Sequence, residues 1–489
     1  MKSGILMWIT ATVLLMLGLP VQSAAQHTRY KLVVIPTFGG PAAIGQVDGP
    51  GISQFINNSG VVVGGADTTV PDPYCLNPDC FTPHAFRWQD EVLTDLGALH
   101  DTSFSHATSA NSRGWITGGS FMSDVDPLTG QPTEHAVLWK DGKIVDLGTL
   151  GSGFESAGLY VNNAGEVVGF STFDTTPDPS SFKGAAIHAF IWRNGMMQDL
   201  GTLGGPGAFP SGGCDNQRVG LVAGTSSTSS GESHAFLWDN GTMKDIPTLG
   251  GTLAGAQCAN NKGQVLGQST LPGDSGCPDN CFGHAFSWEH GTITDLGTLG
   301  GNFTLATWLN SNGEAVGGTS TTDDESFHAV LWRSGRIADL GILDGDCFSV
   351  ANSINSRGQI IGQSFSCPDG AVSRAVLWDG GSIVDLNATI PPDSALQLTE
   401  GLNINDRGEI VGRGLTPGCD NLDLCGRVFL LIPCDPAGKV CEGNLNSVSQ
   451  PIVVPGTNRE IEAPDPQRTR EFIERQSARI GPHYQVPAR

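Results

Sequence analysis

Histidine and aspartate side chains recur along this chain in a pattern that could build a ring of bases or metal ligands. Six histidines begin a repeated phrase, His-Ala-Phe/Val-x-Trp: His84, His135, His188, His234, His284 and His328. Seven aspartates begin a second recurring segment, Asp-Leu-Gly or a variant of it: Asp95, Asp146, Asp199, Asp245, Asp295, Asp339 and Asp385. One site needs only one set of such groups, so their repetition favours a structural role in which each buried aspartate pairs with a histidine, hydroxyl or turn amide.

Acidic residues outside the repeats are the candidates for a cation site. They fall in two predicted loops and comprise Asp323, Asp324, Glu325, Asp344 and Asp346. Loop carboxylates suit Ca²⁺, but no complete calcium-binding loop is present, and solvated turns are the alternative. No nucleophile elbow, zinc-protease motif or phosphate-binding loop occurs in the sequence. We therefore predict no catalytic residues and no cofactor other than this calcium alternative.

Two tryptophans outside the phrase are a second kind of candidate. Trp115 and Trp308 would suit stacking on sugars if they are exposed, and would fill the core if they are buried.

The elements that position these residues follow from the period of the phrase, which returns every 44 to 53 residues. Such a period indicates an array, solenoid or propeller. Arg374–Trp378 is a copy with arginine in place of histidine, and Arg427–Leu431 is a degenerate copy. We predict that the tryptophans of the phrase anchor the packing between repeats: Trp88, Trp139, Trp192, Trp238, Trp288, Trp332 and Trp378.

Each unit predicts four antiparallel strands. An Asn-x-x-Gly turn joins the first two strands, the phrase forms a third strand that is apolar on both faces, and an Asn-Gly-like turn leads to the fourth. Eight such units predict an all-β, eight-bladed β-propeller over residues 26–434. Seven blades would require one atypical unit, and the unit near Cys214 is the candidate. Tyr30–Gly40 resembles a fourth strand with its loop, so we expect it to complete the last blade.

The two faces of the predicted disc differ. The tight turns lie on one face, which we call the turn face. The longer connections lie on the other, which we call the loop face; they include 66–83, 121–134, 172–187, 270–283 and 413–426. Variable loops on a rigid scaffold commonly carry binding residues. We expect a ligand site on the loop face at the channel mouth.

The N-terminal residues of the chain predict export. Residues 1–25 have the charge, apolar run and small residues of a secretory signal peptide, with a membrane anchor as the alternative. No later stretch is apolar enough to span a membrane.

The formal net charge of −23 argues against nucleic acid as a partner. Residues 435–489 read as a linker followed by a short tail that could be helical. We expect a monomer.

Twelve cysteines in an exported chain predict disulfides. The candidate pairs are Cys75 with Cys80, Cys214 with Cys258, Cys277 with Cys281, Cys347 with Cys367, Cys419 with Cys425, and Cys434 with Cys441. Zinc is the alternative for such clusters, but no pair has a suitably spaced set of further ligands.

The phrase, together with Asp-Leu-Gly-Thr-Leu-Gly-Gly and Ile-Asn-x-x-Gly-x-Val-x-Gly, resembles the bacterial HAF-repeat family of probable extracellular proteins. The resemblance spans roughly residues 30–431 and implies export and a repeat β architecture, with no reaction to carry over. The strand order also resembles WD-repeat propellers, in which a histidine–aspartate network is structural. We predict a secreted binding module for an extracellular glycan or protein. A propeller enzyme acting on polysaccharide, as lyase or hydrolase, and a purely structural protein are the alternatives.

Overall fold

The computed structural model describes residues 28–44, 54–73, 80–100, 103–126, 128, 130–177, 184–214, 216–273, 283–368, 370–434, 441 and 467–472. The predicted signal segment lies outside these residues, as does most of 435–489. The described chain begins with strand β1 (Tyr30–Val34), and its strands form eight antiparallel units of four, which we call blades; a parallel bridge between Phe327 and Phe348 joins the sheets of the sixth and seventh units.

The first four blades follow one another along the chain. Blade 1 contains β2 (Ala43–Ile44), β3 (Val62–Pro71), β4 (Phe81–Gln89) and β5 (Val92–Asp95). Blade 2 contains β6 (Ser105–Ala110), β7 (Ile116–Val125), β8 (Pro132–Lys140) and β9 (Lys143–Asp146). Blade 3 contains β10 (Ser156–Val161), β11 (Val167–Pro177), β12 (Ala185–Arg193) and β13 (Met196–Asp199). Blade 4 contains β14 (Gly204–Pro210), β15 (Leu221–Thr228), β16 (Ser233–Asp239) and β17 (Thr242–Ile246).

The other four blades repeat this order. Blade 5 contains β18 (Ala254–Ala259), β19 (Val265–Ser269), β20 (His284–Glu289) and β21 (Thr292–Asp295). Blade 6 contains β22 (Gly300–Leu309), β23 (Ala315–Thr321), β24 (Phe327–Arg333) and β25 (Arg336–Gly341). Blade 7 contains β26 (Asp346–Ile354), β27 (Ile360–Ser366), β28 (Ser373–Asp379) and β29 (Ser382–Asp385). Blade 8 contains β30 (Gln397–Ile404), β31 (Ile410–Leu415), β32 (Arg427–Pro433) and β1.

Helical segments are few in the described part of the chain. Thr322–Asp324 and Leu386–Thr389 form 3-10 turns, and α1 (Leu422–Cys425) is one helical turn. Residues 467–472 are also helical, and we call them the tail helix.

The ring closes through its first strand, as predicted. β1 pairs antiparallel with β32, with Tyr30 opposite Pro433 and Val34 opposite Phe429. The fourth strand of blade 8 is therefore supplied by the opposite end of the propeller. This closure leaves no blade with an unpaired third strand, which would be an edge open to aggregation.

A belt of asparagine side chains confirms that the eight blades form one ring. In six of the eight joints, the Nδ2 group of the asparagine in the first turn of one blade donates to the main-chain carbonyl of the matching asparagine in the next, at 2.8–3.0 Å. The belt includes the bond from Asn405 in blade 8 to Asn57 in blade 1. The Oδ1 atom of each of these asparagines also accepts hydrogen bonds from the main-chain amides two and four residues ahead, as Asn57 does from Ser59 and Val61. These bonds fix the turn.

Blade 4 is the atypical unit. The repeat pattern places glutamine, Gln217, where the other blades have the turn asparagine. One inserted residue moves the asparagine of blade 4 to position 216. The Nδ2 group of Asn216 donates within its own blade to the carbonyl of Leu221. A disulfide between Cys214 and Cys258 joins blade 4 to blade 5. The unit still forms four strands, so eight blades are correct.

Both faces of each third strand are buried, as the sequence predicts. In blade 3, Phe190 and Trp192 pack towards blade 2, whereas Ala189 and Ile191 pack towards blade 4. The phenylalanine of the phrase also explains a glycine in the second strand. A Cβ at Gly224 would lie 2.5 Å from the ring of Phe236, so only glycine fits there.

The disulfide predictions are confirmed wherever both cysteines are described. The bonded pairs are Cys214–Cys258, Cys347–Cys367, Cys419–Cys425 and Cys434–Cys441. Cys80 is also disulfide-bonded. The remaining candidates, Cys75, Cys277 and Cys281, lie outside the described residues. Disulfides are typical of proteins from oxidising compartments.

Candidate functional site

The six recurrent histidines lie on the third strands of blades 1–6, where the phrase begins, and bond within their own blade. The Nδ1 atom of each histidine is 2.8–3.0 Å from the carboxylate of the aspartate on the fourth strand. In five blades the aspartate also accepts the amide of the glycine two residues ahead, as Asp95 does from Gly97. In blade 7 the arginine copy, Arg374, contacts both Asp385 and Asp346. The pairs are distributed around the ring and do not meet in one centre.

These bonds set the titration of the aspartates. Burial alone would raise the pKa of Asp146, but the hydrogen bonds from His135 and from the amide of Gly148 outweigh burial and lower the pKa below its ordinary value of 3.8. The pKa values of Asp95, Asp199 and Asp339 are lowered in the same way. A carboxylate with a depressed pKa stabilises the fold above pH 3.8, and that contribution is lost as the pH falls through the folded-state value.

We therefore expect the Asp146→Asn protein to be less stable than the parent at pH 7, and by a smaller margin at pH 3. The measurement is the urea midpoint of unfolding at both pH values. Asp141→Asn, a change in the neighbouring exposed turn, is the control and should show no such convergence. A stability gap of equal size at both pH values would contradict this role.

Two of the acidic residues proposed to bind calcium already have protein partners for their carboxylates. The carboxylate of Asp324 accepts from the amide and side chain of Asn302 and from the hydroxyl of Ser320. The buried carboxylate of Asp346 lies 2.6 Å from Arg374. Across the described ranges, no three histidine, cysteine, aspartate or glutamate side chains are grouped so as to hold a metal ion. Calcium binding stays a prediction.

The two tryptophans outside the phrase differ in exposure. Trp308 lies in blade 6 and is buried in the core that this blade shares with blades 5 and 7. Trp115 is half-buried, with Lys140 4.8 Å and Arg113 5.5 Å from its ring centre. A ring already covered by two cations is a poor platform for a sugar.

A buried imidazole–carboxylate pair in blade 2 was missed by the sequence reasoning. His106 Nδ1 lies 3.5 Å from Glu134 Oε1, and both side chains are largely buried. Gly119 makes room for them, because a Cβ there would lie 1.8 Å from Glu134 Oε1. The available signal was a histidine on a first strand, outside the repeated phrase.

A second titratable group lies in blade 1. Asp67 accepts the amide of Ala42 at 2.9 Å. Burial raises the pKa of Asp67 to about 6, although this hydrogen bond and the nearby Arg427 act in the opposite direction. This carboxyl group therefore gains a proton in mildly acidic solution.

Among the described residues the loop face is uneven, because strand pairing extends further from the phrase in three neighbouring blades than in the other five. In blades 1–3 the pairing of the second and third strands resumes beyond a bulge and reaches Pro71–Phe81, Val125–Pro132 and Pro177–Ala185. In blades 4–8 it stops at most one pair beyond the phrase. We call the described residues of these three extensions (67–73 with 80–83, 121–126 with 128 and 130–134, and 172–177 with 184–187) the raised hairpins. Each connects the two middle strands of its blade.

The raised hairpins expose apolar side chains. Val70, Val125, Leu128 and Phe173 are among the nine exposed large hydrophobic residues of the described chain. Leu128 of blade 2 reaches the hairpin of blade 3, where it lies 3.6 Å from the position of a Cβ at Gly184. The ring of Phe173 stacks on His188 with centroids 4.5 Å apart.

Acidic side chains lie in the same three hairpins. Asp72, Asp124 and Asp174, which we call the acidic border, are at least partly exposed, whereas Asp67 and Asp126 are buried. Exposed apolar side chains beside such carboxylates can hold an apolar anchor that has basic neighbours.

The described residues include no helix long and apolar enough to cross a membrane. No protein-family model and no curated protein matches the chain. Solved structures with some likeness include the β-propeller domain of the trilobed protease from Pyrococcus furiosus, which is 8% identical, with 64% of this chain and 92% of that chain covered and a TM-score of 0.40. Dipeptidyl peptidase 4 from Porphyromonas gingivalis is 7% identical, with 73% and 56% covered and a TM-score of 0.43. The strand pairing and the belt of asparagines define the fold.

Proposed function

We propose that this chain is an exported binding module and that the raised hairpins hold its ligand. The observation that carries the proposal is that three adjacent hairpins of the ring each expose at least one large apolar side chain. Exposed apolar side chains grouped on neighbouring loops mark candidate interaction sites. Export and membership of the HAF-repeat family are predictions that agree with this role.

The chemistry of the hairpins favours a protein ligand over a glycan. Val70, Val125 and Leu128 are aliphatic and present no hydrogen-bonding groups to a sugar. Phe173 is the aromatic member, but one of its faces already stacks on His188. A peptide with an apolar anchor and flanking lysine or arginine would match both the tips and the acidic border.

The test is selection of peptides from a random display library against the immobilised full chain, followed by affinity measurements. We expect selected peptides to combine an apolar residue with basic neighbours. Val125→Asp with Leu128→Asp should weaken their binding at least tenfold. The matched control is Val92→Asp with Met196→Asp, which adds the same charge at two exposed hydrophobic residues on the turn face and should leave binding unchanged.

Two results would sink this proposal. Equal loss of binding in both double variants would mean that the hairpins are not the site. A thermal-shift screen in which glycans stabilise the protein while selected peptides do not would move the ligand to the carbohydrate class. Ca²⁺ belongs in the same screen, as the test of the acidic loops.

The enzyme alternative has one observation in its favour, the His106–Glu134 pair. A buried imidazole oriented by a carboxylate could serve as a general base. Turnover of a polysaccharide that is abolished by Glu134→Gln, with the thermal midpoint unchanged, would favour a lyase or hydrolase. Absence of turnover across plant and cell-surface polysaccharides would favour the binding module.

A further inference from the structure

The tail helix is bound on the loop face, at the joint between blades 6 and 7. Phe472 is fully buried there. Its ring stacks on Phe348 with centroids 4.4 Å apart and meets Phe365 edge-on at 4.8 Å. Phe327 completes the enclosure at 6.1 Å. We call the surface formed by Phe303, Phe327, Phe348 and Phe365 the tail groove.

Polar contacts make this docking specific. The hydroxyl of buried Thr469 donates to the main-chain carbonyl of Glu325 at 3.1 Å. The guanidinium of Arg470 lies over the ring of Phe303, 5.5 Å from its centre. Thr469 and Phe472 are three residues apart and therefore lie on one helix face. This is the helix-in-groove mode of peptide recognition, with an aromatic anchor.

The helix depends on the groove for its shape. A short isolated helix, below about 12–15 residues, is at best marginally stable in water, because nucleation costs more than its few hydrogen bonds return. The tail helix and the groove therefore behave as a peptide ligand and its site, although both belong to one chain.

Charge complements the fit. Residues 467–489 contain five arginines and two glutamates, whereas the whole chain has a formal net charge of −23. Asp323, Asp324 and Glu325 border the groove in sequence, immediately before Phe327. A basic segment is thus attracted to an acidic ring, whether that ring is its own or another's.

The chain leaves the propeller on the face opposite the groove. β32 runs from the loop face to the turn face, and the amide of Cys434 bonds to the carbonyl of Arg29 at the start of β1. The tail groove is on the loop face. Within one molecule, Cys434 and the tail helix therefore lie on opposite faces. The stretch of sequence between them, when fully extended, spans on the order of 100 Å, which is long enough to reach the chain's own groove or that of a neighbour.

We propose that the tail helix of one chain binds the tail groove of a second copy and so links rings turn face to loop face. In that stacking, the point of exit on one ring faces the groove of the next. The contact joins two different surfaces, so each added copy again offers one groove and one tail. Such a heterologous contact builds rows of rings rather than closed dimers.

The test uses two full-length variants and sedimentation velocity over a range of concentrations. Phe472→Ala removes the anchor and leaves the groove. Gly370→Asn obstructs the groove, because a Cβ at Gly370 would lie 2.9 Å from the ring of Phe472, and asparagine tolerates its φ of +72°. We expect the parent to grow in mass beyond two chains, each variant alone to stay at the mass of one chain, and an equimolar mixture of the two to stop at two chains.

A fluorescent peptide of residues 467–480 gives a second measurement. It should bind the Phe472→Ala chain, and the same peptide with alanine at 472 should bind at least tenfold more weakly. A parent protein that keeps the mass of one chain at every concentration overturns the proposal, even if the peptide binds, because the tail then serves only its own ring. Growth that is unchanged in both variants overturns it as well. Val125→Asp with Leu128→Asp should leave the growth intact, which separates this proposal from the function proposed for the raised hairpins.

Discussion

The Trp238→Ala protein is expected to unfold with a free energy about 3–5 kcal/mol below that of the parent. Trp238 is the most buried tryptophan of the repeated phrase and packs with Phe236 against Val168, Ala189 and Ile191 of blade 3. Removing the indole leaves a cavity between two blades, and neither blade can move to fill it without breaking its bonds to the next. The measurement is equilibrium unfolding in urea, if the transition is reversible, together with the thermal midpoint.

Two further variants test whether the loss of stability comes from the buried indole of Trp238. Trp238→Phe keeps most of the apolar volume and should cost less than the alanine variant. Trp115→Ala removes a half-buried ring and should also cost less. An unchanged midpoint in Trp238→Ala would show that the phrase tryptophans do not hold neighbouring blades together.

Replacing both Cys214 and Cys258 with serine should cost about 4 kcal/mol, because their disulfide closes a loop with a sequence separation of 44 residues. The joint between blades 4 and 5 is also one of the two that lack the asparagine bond of the belt. We therefore expect the ring of the double variant to open first at this joint. Hydrogen exchange of β15 and β18, compared with β6 and β10, would locate the opening.

The matched control is the pair Cys419 and Cys425, whose sequence separation is 6 residues. The same loop-entropy relation gives about 2 kcal/mol for that disulfide. Equal losses of stability in the two double variants would contradict the special role of the joint between blades 4 and 5.

The sequence predicted the fold well because its signals are local and repeated. The turn after Lys140 is an example: Asp141 and Gly142 have φ values of +53° and +71°, which an Asp-Gly pair favours. The closure by β1 was predictable for the same reason, since Tyr30–Gly40 copies a segment found inside the repeats. The regular pattern breaks where one residue is inserted, as between Asn216 and Gly220 in blade 4.

The candidate sites depend on contacts that have no period. The raised hairpins differ from the other loops only in how far their strands pair beyond the phrase. The tail groove needs Phe303, Phe327 and Phe348, which are separated unevenly in sequence and meet only when blades 6 and 7 lie side by side. Sequence reasoning allowed for a helix in the tail, but it had no means of finding the groove that holds it.

The closure of the ring also imposes an order on folding. β1 is the first described strand to be synthesised, and its partner β32 is the last strand of the propeller. Until the third strand of blade 8 exists, the first strand has no place in any sheet, and the nascent ring must remain open at that joint. The residues that pair in this contact are separated in sequence by almost the entire propeller. Contacts of such large sequence separation slow folding. A ring closed in this way completes its folding only after its last strand has been synthesised.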